Sequence, residues 1–243
     1  MKQINLILQA KGGVGKSLFT WFVAQAEKDK KTSFIDLDES TKTSANRLES
    51  VVGKNRIRHV DILNDYKRLE REKIIALFES LSKVQSPTIF IDFGAAESEE
   101  FKKLLEFDIP AHILKEELSQ MGIDLRFYII MAGRDAFVAC YSYYEKLKLL
   151  IETHFQIIVL INEGTFSDAE TITLVKQNFI DTGALFKGFG NLGNAESGRD
   201  VIKILTEGKG EDALNLMGKI TIRKVLEQVK LIIAEHHGEF ERN

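Results

Sequence analysis

The stretch Ala10-Lys11-Gly12-Gly13-Val14-Gly15-Lys16-Ser17-Leu18 decides the fold of this chain. It follows an apolar run and precedes an amphipathic run, so the sequence predicts a strand, a glycine-rich loop and a helix in that order. The glycines leave backbone N–H groups able to converge on an anion, and the helix directs its positive end to the same place. The stretch is therefore predicted to be a phosphate-binding loop.

Two side chains of this loop have predicted roles in nucleotide binding. Lys16 supplies a point charge for the β- and γ-phosphates, and the Ser17 hydroxyl can ligate Mg²⁺. The residues predicted to bind the nucleotide through the loop are Gly12, Gly13, Val14, Gly15, Lys16, Ser17 and Leu18. The alternative is a glycine turn with a structural role only, and the flanking strand and helix favour nucleotide binding over it.

Composition is that of a globular protein. The chain has 243 residues, of which 44% are hydrophobic and 28% charged, which fits a single domain over residues 1–243. The net charge of −3 gives no overall basic field, so contact with nucleic acid is expected only indirectly or through a local patch. Cys140 is the only cysteine, which excludes disulfides and cysteine-bridged metal clusters. Since no apolar run approaches a membrane span and no leader pattern is present, we expect a cytoplasmic protein without stable membrane insertion.

Apolar and amphipathic runs alternate along the chain. The predicted strands are 4–9, 33–37, 56–62, 88–93, 126–131, 156–161 and 184–189, and the predicted helices are 18–28, 69–82, 136–154 and 168–179. The capping-box spacing of Ser167-Asp168-Ala169-Glu170 predicts the start of the last of these helices. Continuous apolar strands between amphipathic helices are typical of a parallel sheet covered on both faces. The predicted fold class is α/β, a three-layer phosphate-loop NTPase fold with a mostly parallel sheet.

Acidic residues follow two of the predicted strands. Asp92 ends the run 88–92, and ligands of open α/β sheets bind at the carboxyl ends of strands. A carboxylate there can hold Mg²⁺ through water, while a helix-capping role is the alternative. Asp36 and Asp38 follow the second strand, and alternation places both on one face of its end. Plain surface acids are the alternative for this pair.

The loop also carries a second lysine, Lys11, and has Ala10 where a standard phosphate loop has glycine. This pattern resembles the deviant phosphate loop of the ParA/MinD family of ATPases. The resemblance implies that Lys11 reaches across a dimer interface to the nucleotide of the partner subunit, with a solvated loop lysine as the alternative. It also implies that Asp38 positions the attacking water and that Asp36 supports Mg²⁺ binding.

The resemblance extends to the strand ends that follow. Asn162, just past a predicted strand, matches the position whose amide reads adenine in ParA/MinD relatives, and a buried or turn-forming asparagine is the alternative. Two places depart from the family pattern. Glu39-Ser40 replaces the usual proline, and Phe93-Gly94-Ala95 replaces Thr-Pro-Pro, which implies weak hydrolysis without a partner.

Landmarks along most of the chain are similar to those of the TraL-type conjugal transfer proteins, which are ParA-like ATPases encoded by mobile plasmids. These landmarks are the segments 7–17, 91–96, 132–136, 160–162 and 197–200. The resemblance implies a Mg²⁺-ATP-dependent switch that forms a homodimer with ATP and acts with a protein partner in plasmid transfer, mobilisation or maintenance.

Two other functions remain open at this point. One is a small-molecule ligase or kinase that uses the same loop, similar to dethiobiotin synthetase, and the other is a non-hydrolysing nucleotide-binding module. The single cysteine excludes an iron–sulfur carrier of the same superfamily. Two further segments have predicted places in the fold. The loop 188–193 should lie on the nucleotide-base side, and the apolar stripe between Ile222 and Ile233 should pack on the domain rather than anchor a membrane.

Overall fold

The apolar runs form one seven-stranded sheet in the computed structural model of the chain. Its strands are β1 (Lys2–Leu8), β2 (Thr32–Asp36), β3 (Ile57–His59), β4 (Thr88–Asp92), β5 (Ile123–Met131), β6 (Gln156–Asn162) and β7 (Leu185–Phe189). Their spatial order is β3-β2-β4-β1-β5-β6-β7, and each pair of neighbours is parallel. The loop after β1 therefore leaves the sheet at the middle of its carboxyl edge.

The structure describes residues 1–37, 43–66, 68–151, 153–193, 196–207, 209 and 211–234. The helices within these ranges are α1 (Lys16–Ala26), α2 (Thr43–Val52), α3 (Glu72–Ser82), α4 (Ala95–Lys103), α5 (Ala111–Gln120), α6 (Phe137–Ile151), α7 (Ala169–Asp181), α8 (Glu196–Thr206) and α9 (Leu216–Ala234). A π-helical segment, Leu104–Asp108, continues α4 toward α5.

Helices cover both faces of the sheet. Phe127 and Tyr128 are consecutive residues of β5, so their side chains point to opposite faces. The Tyr128 ring centroid lies 5.8 Å from that of Phe19 in α1, and the Phe127 ring centroid lies 5.8 Å from that of Phe101 in α4. The sheet is thus the middle of three layers, which confirms the predicted α/β class. It is wholly parallel, where the sequence predicted a mostly parallel sheet.

The edge strand β3 is shorter than predicted. The sequence suggested a strand over 56–62, but β3 covers Ile57–His59 only. The backbone N–H of Val60 still donates to the Asp36 carbonyl of β2. Just beyond it, the Asp61 side chain accepts from the N–H of Leu63, two residues along the chain. This local turn withdraws the chain from the ladder, and short edge strands of this kind limit pairing with other chains.

The last helix packs as predicted. Its apolar stripe is buried, and α9 contacts both α1 and α8. The buried residues of the stripe are Ile222, Val225, Leu226, Val229, Ile232 and Ile233. Among the described helices, none combines the length and the apolar character needed to cross a bilayer.

Candidate nucleotide-binding site

The loop between β1 and α1 has the backbone of an anion cradle. Gly13 and Gly15 adopt positive φ angles of 74° and 106°, a region that side chains other than glycine rarely occupy. Gly15 is the N-cap of α1 and receives no side-chain cap, so the first N–H groups of the helix face the loop. Space is open above Gly12 and Gly13, where an added Cβ would meet nothing within 4 Å. The loop therefore presents backbone donors to an anion at the positive end of a helix.

Lys16 and Ser17 form the first turn of α1. Lys16 is only 8% exposed, and its Nζ donates to the Gln9 carbonyl oxygen at 2.9 Å. This bond directs the ammonium back over the loop rather than into solvent. Ser17 is half-buried at the same helix end. The structure thus places the predicted cation and hydroxyl beside the backbone donors of the loop.

Gln9, which belongs to none of the predicted site motifs, fixes the entry to the loop. Its Nε2 donates to the carbonyl oxygens of Ile130 at 2.8 Å and Cys140 at 3.3 Å. Its backbone N–H donates to Ser98 Oγ at 3.1 Å, and its Oε1 accepts from the Lys11 backbone N–H. A buried glutamine directly before a glycine loop was the available signal, because such a polar group must find partners inside the fold.

Ser98 links the loop to the helix that follows β4. Its Oγ donates to the Gly94 carbonyl at 2.7 Å and accepts from Gln9, while its carbonyl accepts from Tyr143 Oη at 2.9 Å. Just before this turn, the Phe93 ring is fully buried and packs on Phe101 at 5.6 Å between centroids. Phe93 therefore places an apolar packing group, without a hydroxyl, directly after β4.

The two acidic strand ends meet at the same edge. Asp36 and Asp92 are register partners on β2 and β4, and both are buried, with 0% and 1% exposure. They lie two residues beyond the stacked rings of Phe34 and Phe90, so they share the face of the sheet that those rings occupy. Since Phe90 also contacts Tyr128, this is the face that α1 covers.

This arrangement fits Mg²⁺. Magnesium prefers oxygen ligands and is usually held by one or two carboxylates together with phosphate oxygens. Asp36, Asp92 and the Ser17 hydroxyl supply such oxygens on the α1 side of the carboxyl edge. The fit rests on the donor set and on the register of two neighbouring strands.

Of the two remaining catalytic candidates, Lys11 lies within the described residues and Asp38 does not. Lys11 is exposed at the start of the loop, as a residue that reaches a partner must be. Asp38 lies outside the described residues, as does Glu39-Ser40, one of the two departures from the family pattern.

Asn162 joins the loop to the other half of the site. Its side chain is 3% exposed, and its Nδ2 donates to the Val14 carbonyl at 2.8 Å. Glycines make room for this amide. A Cβ on Gly15 would lie 2.4 Å from Nδ2, and a Cβ on Gly190 would lie 2.6 Å from Oδ1. The amide therefore holds the loop from a strand end 148 residues away, whatever further contact it makes with a base.

A cavity of about 590 Å³ opens beside the loop. Gly13, Gly15 and Leu18 form its phosphate-loop wall, and Asn162 lies at its junction with β6. The outer walls are the segments 163–169 and 190–193, together with Gly198, Arg199 and Ile202 of α8. The part of the loop 188–193 predicted to lie on the base side thus lines the cavity next to the phosphate loop.

The helix that borders this cavity is capped differently from the prediction. The capping-box spacing suggested Ser167 as N-cap, but α7 begins at Ala169 and Asp168 caps it. Asp168 Oδ1 accepts from the Thr171 N–H at 2.7 Å, and Oδ2 accepts from Ser167 Oγ at 2.6 Å. These hydrogen bonds, first that of Ser167 and then those of Thr171, lower the pKa of Asp168 to about 2. A carboxylate accepts from the helix N–H more strongly than a hydroxyl does, which explains the choice of cap.

Two solved structures share this fold over nearly their whole length. The MinD cell division protein of Aquifex aeolicus is 14% identical, with a TM-score of 0.57, and the match covers 96% of this chain and 97% of that one. A putative plasmid partition protein of Borrelia burgdorferi B31, bound to AMPPNP, is 16% identical, with a TM-score of 0.62 and coverage of 97% and 100%. No protein-family model and no curated protein sequence matches the chain. At these identities the likeness establishes the fold.

Proposed function

We propose that this protein is a cytoplasmic, Mg²⁺-ATP-dependent switch of the ParA/MinD type. The observation that carries the proposal is the loop between β1 and α1, with Gly15 in the left-handed region at the helix start and Lys16 folded over the loop. The Borrelia structure supports it, because a protein of the same fold binds an ATP analogue. The in-register pair Asp36 and Asp92 supports the metal part of the proposal.

The residues of the site have distinct roles in this proposal. Lys16 and the backbone N–H groups of 12–18 hold the β- and γ-phosphates, and Asn162 holds the loop and contacts adenine. Ser17, Asp36 and Asp92 hold Mg²⁺, which neutralises charge on the phosphates when bound. Asp38 orients the attacking water. Catalysis of this kind consists of positioning and electrostatic stabilisation, which the protein supplies before the reaction begins.

Hydrolysis is expected to be slow in the isolated protein. The turn after β4 carries the buried Phe93 followed by Gly94, and α4 starts directly at Ala95. No hydroxyl is offered by these three residues to the γ-phosphate or to water. This observation also favours a second candidate function, a nucleotide-binding module that does not hydrolyse ATP. ATP turnover is measured on the purified protein alone and together with candidate protein partners. This separates the two functions, because only the switch should gain ATPase activity with a partner.

The dimeric state is the finer part of the proposal. Two copies that face each other through their loops bring two triphosphates close together, and like charges repel at short range. Lys11 is exposed at the loop and carries the sign needed to neutralise that repulsion from across the interface. The resemblance to TraL-type proteins supports a role in plasmid conjugal transfer with a protein partner.

Light scattering tests the dimer directly. With a slowly hydrolysed ATP analogue and Mg²⁺, the wild-type protein should double in mass, whereas with ADP it should stay monomeric. Lys11→Ala should bind the analogue but remain a monomer, while Lys31→Ala, at an exposed lysine before β2, should dimerise normally. A wild-type protein that stays monomeric at saturating analogue would contradict the switch and favour a small-molecule enzyme with the same loop.

A further inference from the structure

A second cavity lies at the opposite, amino edge of the sheet. It has a volume of about 490 Å³ and lies beside the short strand β3 and the end of α3. Ser33, Ile35 and Ile89 of β2 and β4 form its floor. Its walls are the segment 55–58, with Asn55, Arg56 and Arg58, and the segment 80–86 that follows α3.

The charged side chains that line this cavity are all positive. Arg56, Arg58 and Lys83 line it, and no described carboxylate does. Arg58 and Lys83 are both exposed, and neither side chain forms an ion pair or a hydrogen bond with any residue that the structure describes. Only Arg56 lies near carboxylates, those of Glu27 and Asp29, and neither of these lines the cavity. Cations that line a concave, polar space raise the local concentration of anions there.

Arg56 is held rigidly in this wall. Its Nε donates to the Thr32 carbonyl at 2.8 Å, and its two terminal nitrogens donate to the carbonyls of Lys28 at 2.5 Å and Glu27 at 2.8 Å. A guanidinium has five N–H donors, so three of them are occupied and two are available to a ligand. The carboxylate of Glu27 is itself bound by Lys30 and by the Thr32 hydroxyl, each at 2.8 Å. Arg56 is therefore a fixed cation rather than a flexible surface arginine.

Lys2 offsets the partial negative charge at the carboxyl end of α3, which borders the cavity. The carboxyl end of a helix carries partial negative charge, which disfavours anions, and α3 ends at the cavity. Lys2 Nζ donates to the carbonyls of Leu81 at 2.5 Å and Ser82 at 2.9 Å, and also to that of Val84. Across the floor, the hydroxyls of Ser33 and Ser86 are hydrogen-bonded to each other at 2.5 Å, which leaves one O–H of the pair as a neutral donor.

We propose that this amino-edge cavity binds a small phosphate-bearing ligand. Arginine and lysine are the usual partners of phosphate oxygens, and fixed guanidinium and hydroxyl donors give such contacts direction. The ligand is small because the donors line a concavity bounded by the sheet floor, which the outer surface of a nucleic-acid duplex does not enter. The site is separate from the phosphate loop, since Ser33 and Asp36 lie at opposite ends of β2.

Site-resolved NMR tests the proposal independently of nucleotide binding. ¹⁵N-labelled protein is titrated at low salt with ribose 5-phosphate, and in a parallel titration with ribose as the uncharged control. Ribose 5-phosphate should produce saturable shifts at the amides of Ser33, Arg58 and Ser86, and ribose should not. Binding at the phosphate loop would appear separately, at the amides of Gly12 and Gly13.

Matched variants assign the effect to the cavity. Arg58→Ala and Lys83→Ala should each weaken binding roughly tenfold, since a charge-assisted hydrogen bond is lost. Lys54→Ala, at an exposed lysine outside the cavity lining, should leave the affinity within about twofold. The proposal is overturned if the three amides do not shift, if Lys54→Ala weakens binding as much, or if only a DNA duplex shifts them.

Discussion

The phosphate side of the candidate site is one uninterrupted loop, whereas the cavity beside it is assembled from separate parts of the chain. Residues 10–18 contain the backbone cradle, the lysine and the hydroxyl together. The cavity takes its walls from the segments 162–169 and 190–193 and from α8, so it exists only once β6 and β7 have joined the sheet. The first half depends on local conformation, and the second depends on the tertiary fold.

The two halves meet at one side chain. Asn162 ends β6, yet its amide nitrogen donates to Val14 inside the loop, and glycines on both halves make space for it. The loop therefore depends on the rest of the fold, because the carbonyl of Val14 accepts its hydrogen bond from Asn162 of β6. Variants in each half should show how far one can change without the other.

The largest effect is expected from the charge of the phosphate side. Lys16→Ala removes the ammonium that lies over the loop, while the backbone cradle is unchanged. Loss of a charge-assisted hydrogen bond to phosphate should lower Mg²⁺-ATP affinity roughly tenfold to a hundredfold. Calorimetry on a folded variant measures this, with Lys31→Ala as the exposed control. Unchanged affinity would mean that the loop does not bind the phosphates through this lysine.

A pair of glycine variants tests the dependence of the loop on the assembled half. Gly15→Ala places a Cβ 2.4 Å from Asn162 Nδ2 at a residue whose φ is 106°, so it should lower both the melting temperature and ATP affinity. Gly12→Ala adds the same methyl group to open space, and its φ does not lie in the positive region. It should melt within about a degree of wild type. Equal destabilisation by both variants would contradict the contact with Asn162.

Asn162→Ala removes the hydrogen bond that links the two halves of the site. It leaves the Val14 carbonyl without its donor inside the protein, which typically costs about 1 to 3 kcal/mol. The melting temperature should fall, and the preference for ATP over GTP should narrow if the same amide contacts adenine. Asn178→Ala, at an exposed asparagine of α7, is the control and should change neither. Equal ATP and GTP binding by the wild type would refute the adenine contact. The hydrogen bond from Asn162 to Val14 would still be tested by the melting temperature.

The same contrast explains how much could be predicted from the sequence. The phosphate loop, the parallel sheet and the pair Asp36 and Asp92 follow from local patterns, since strand ends of a parallel sheet share one edge. Gln9 and Ser98 were missed because most of their partners lie far away in the chain. Gln9 contacts β5, α6 and Ser98 of α4, and Ser98 also contacts Tyr143 of α6. Arg58 and Lys83 look like ordinary surface cations in the sequence, and only the fold brings them to one cavity.

The sequence did not predict one helix, and it misplaced the start of another where two adjacent side chains can both act as N-cap. α4 was not predicted because its sequence, AAESEEFKK, is largely polar, although Glu97 near its start and Lys102 and Lys103 at its end suit a helix dipole. The start of α7 was misplaced by one residue because Ser167 and Asp168 are both good caps, and sequence spacing alone favoured the serine.

The smallest effect is expected at that cap, which belongs to the assembled half alone. Hydrogen bonds lower the pKa of Asp168 to about 2, below its value of roughly 3.9 in an unfolded chain. A carboxylate with a depressed pKa stabilises the folded state above the unfolded value, and this contribution is lost as the pH falls from about 4 to about 2. Asp168→Ala should therefore lower the melting temperature by a few degrees at pH 7 and by less at pH 2.

Two further variants, one at the cap residue and one at a neighbouring acid, separate the effect of the charge of this cap from that of its hydrogen bond. Asp168→Asn keeps an accepting oxygen for the Thr171 N–H but has no charge, so its melting temperature should differ from wild type at pH 7 and converge with it toward pH 2. Glu170→Gln removes a neighbouring acid whose side chain does not cap the helix, and its difference from wild type should be smaller. All three variants should bind inorganic pyrophosphate as wild type does, because the cap stabilises the cavity side and not the loop. If instead the cap variants weaken pyrophosphate binding, the loop depends on α7 as well as on Asn162, and the two halves form one cooperative unit.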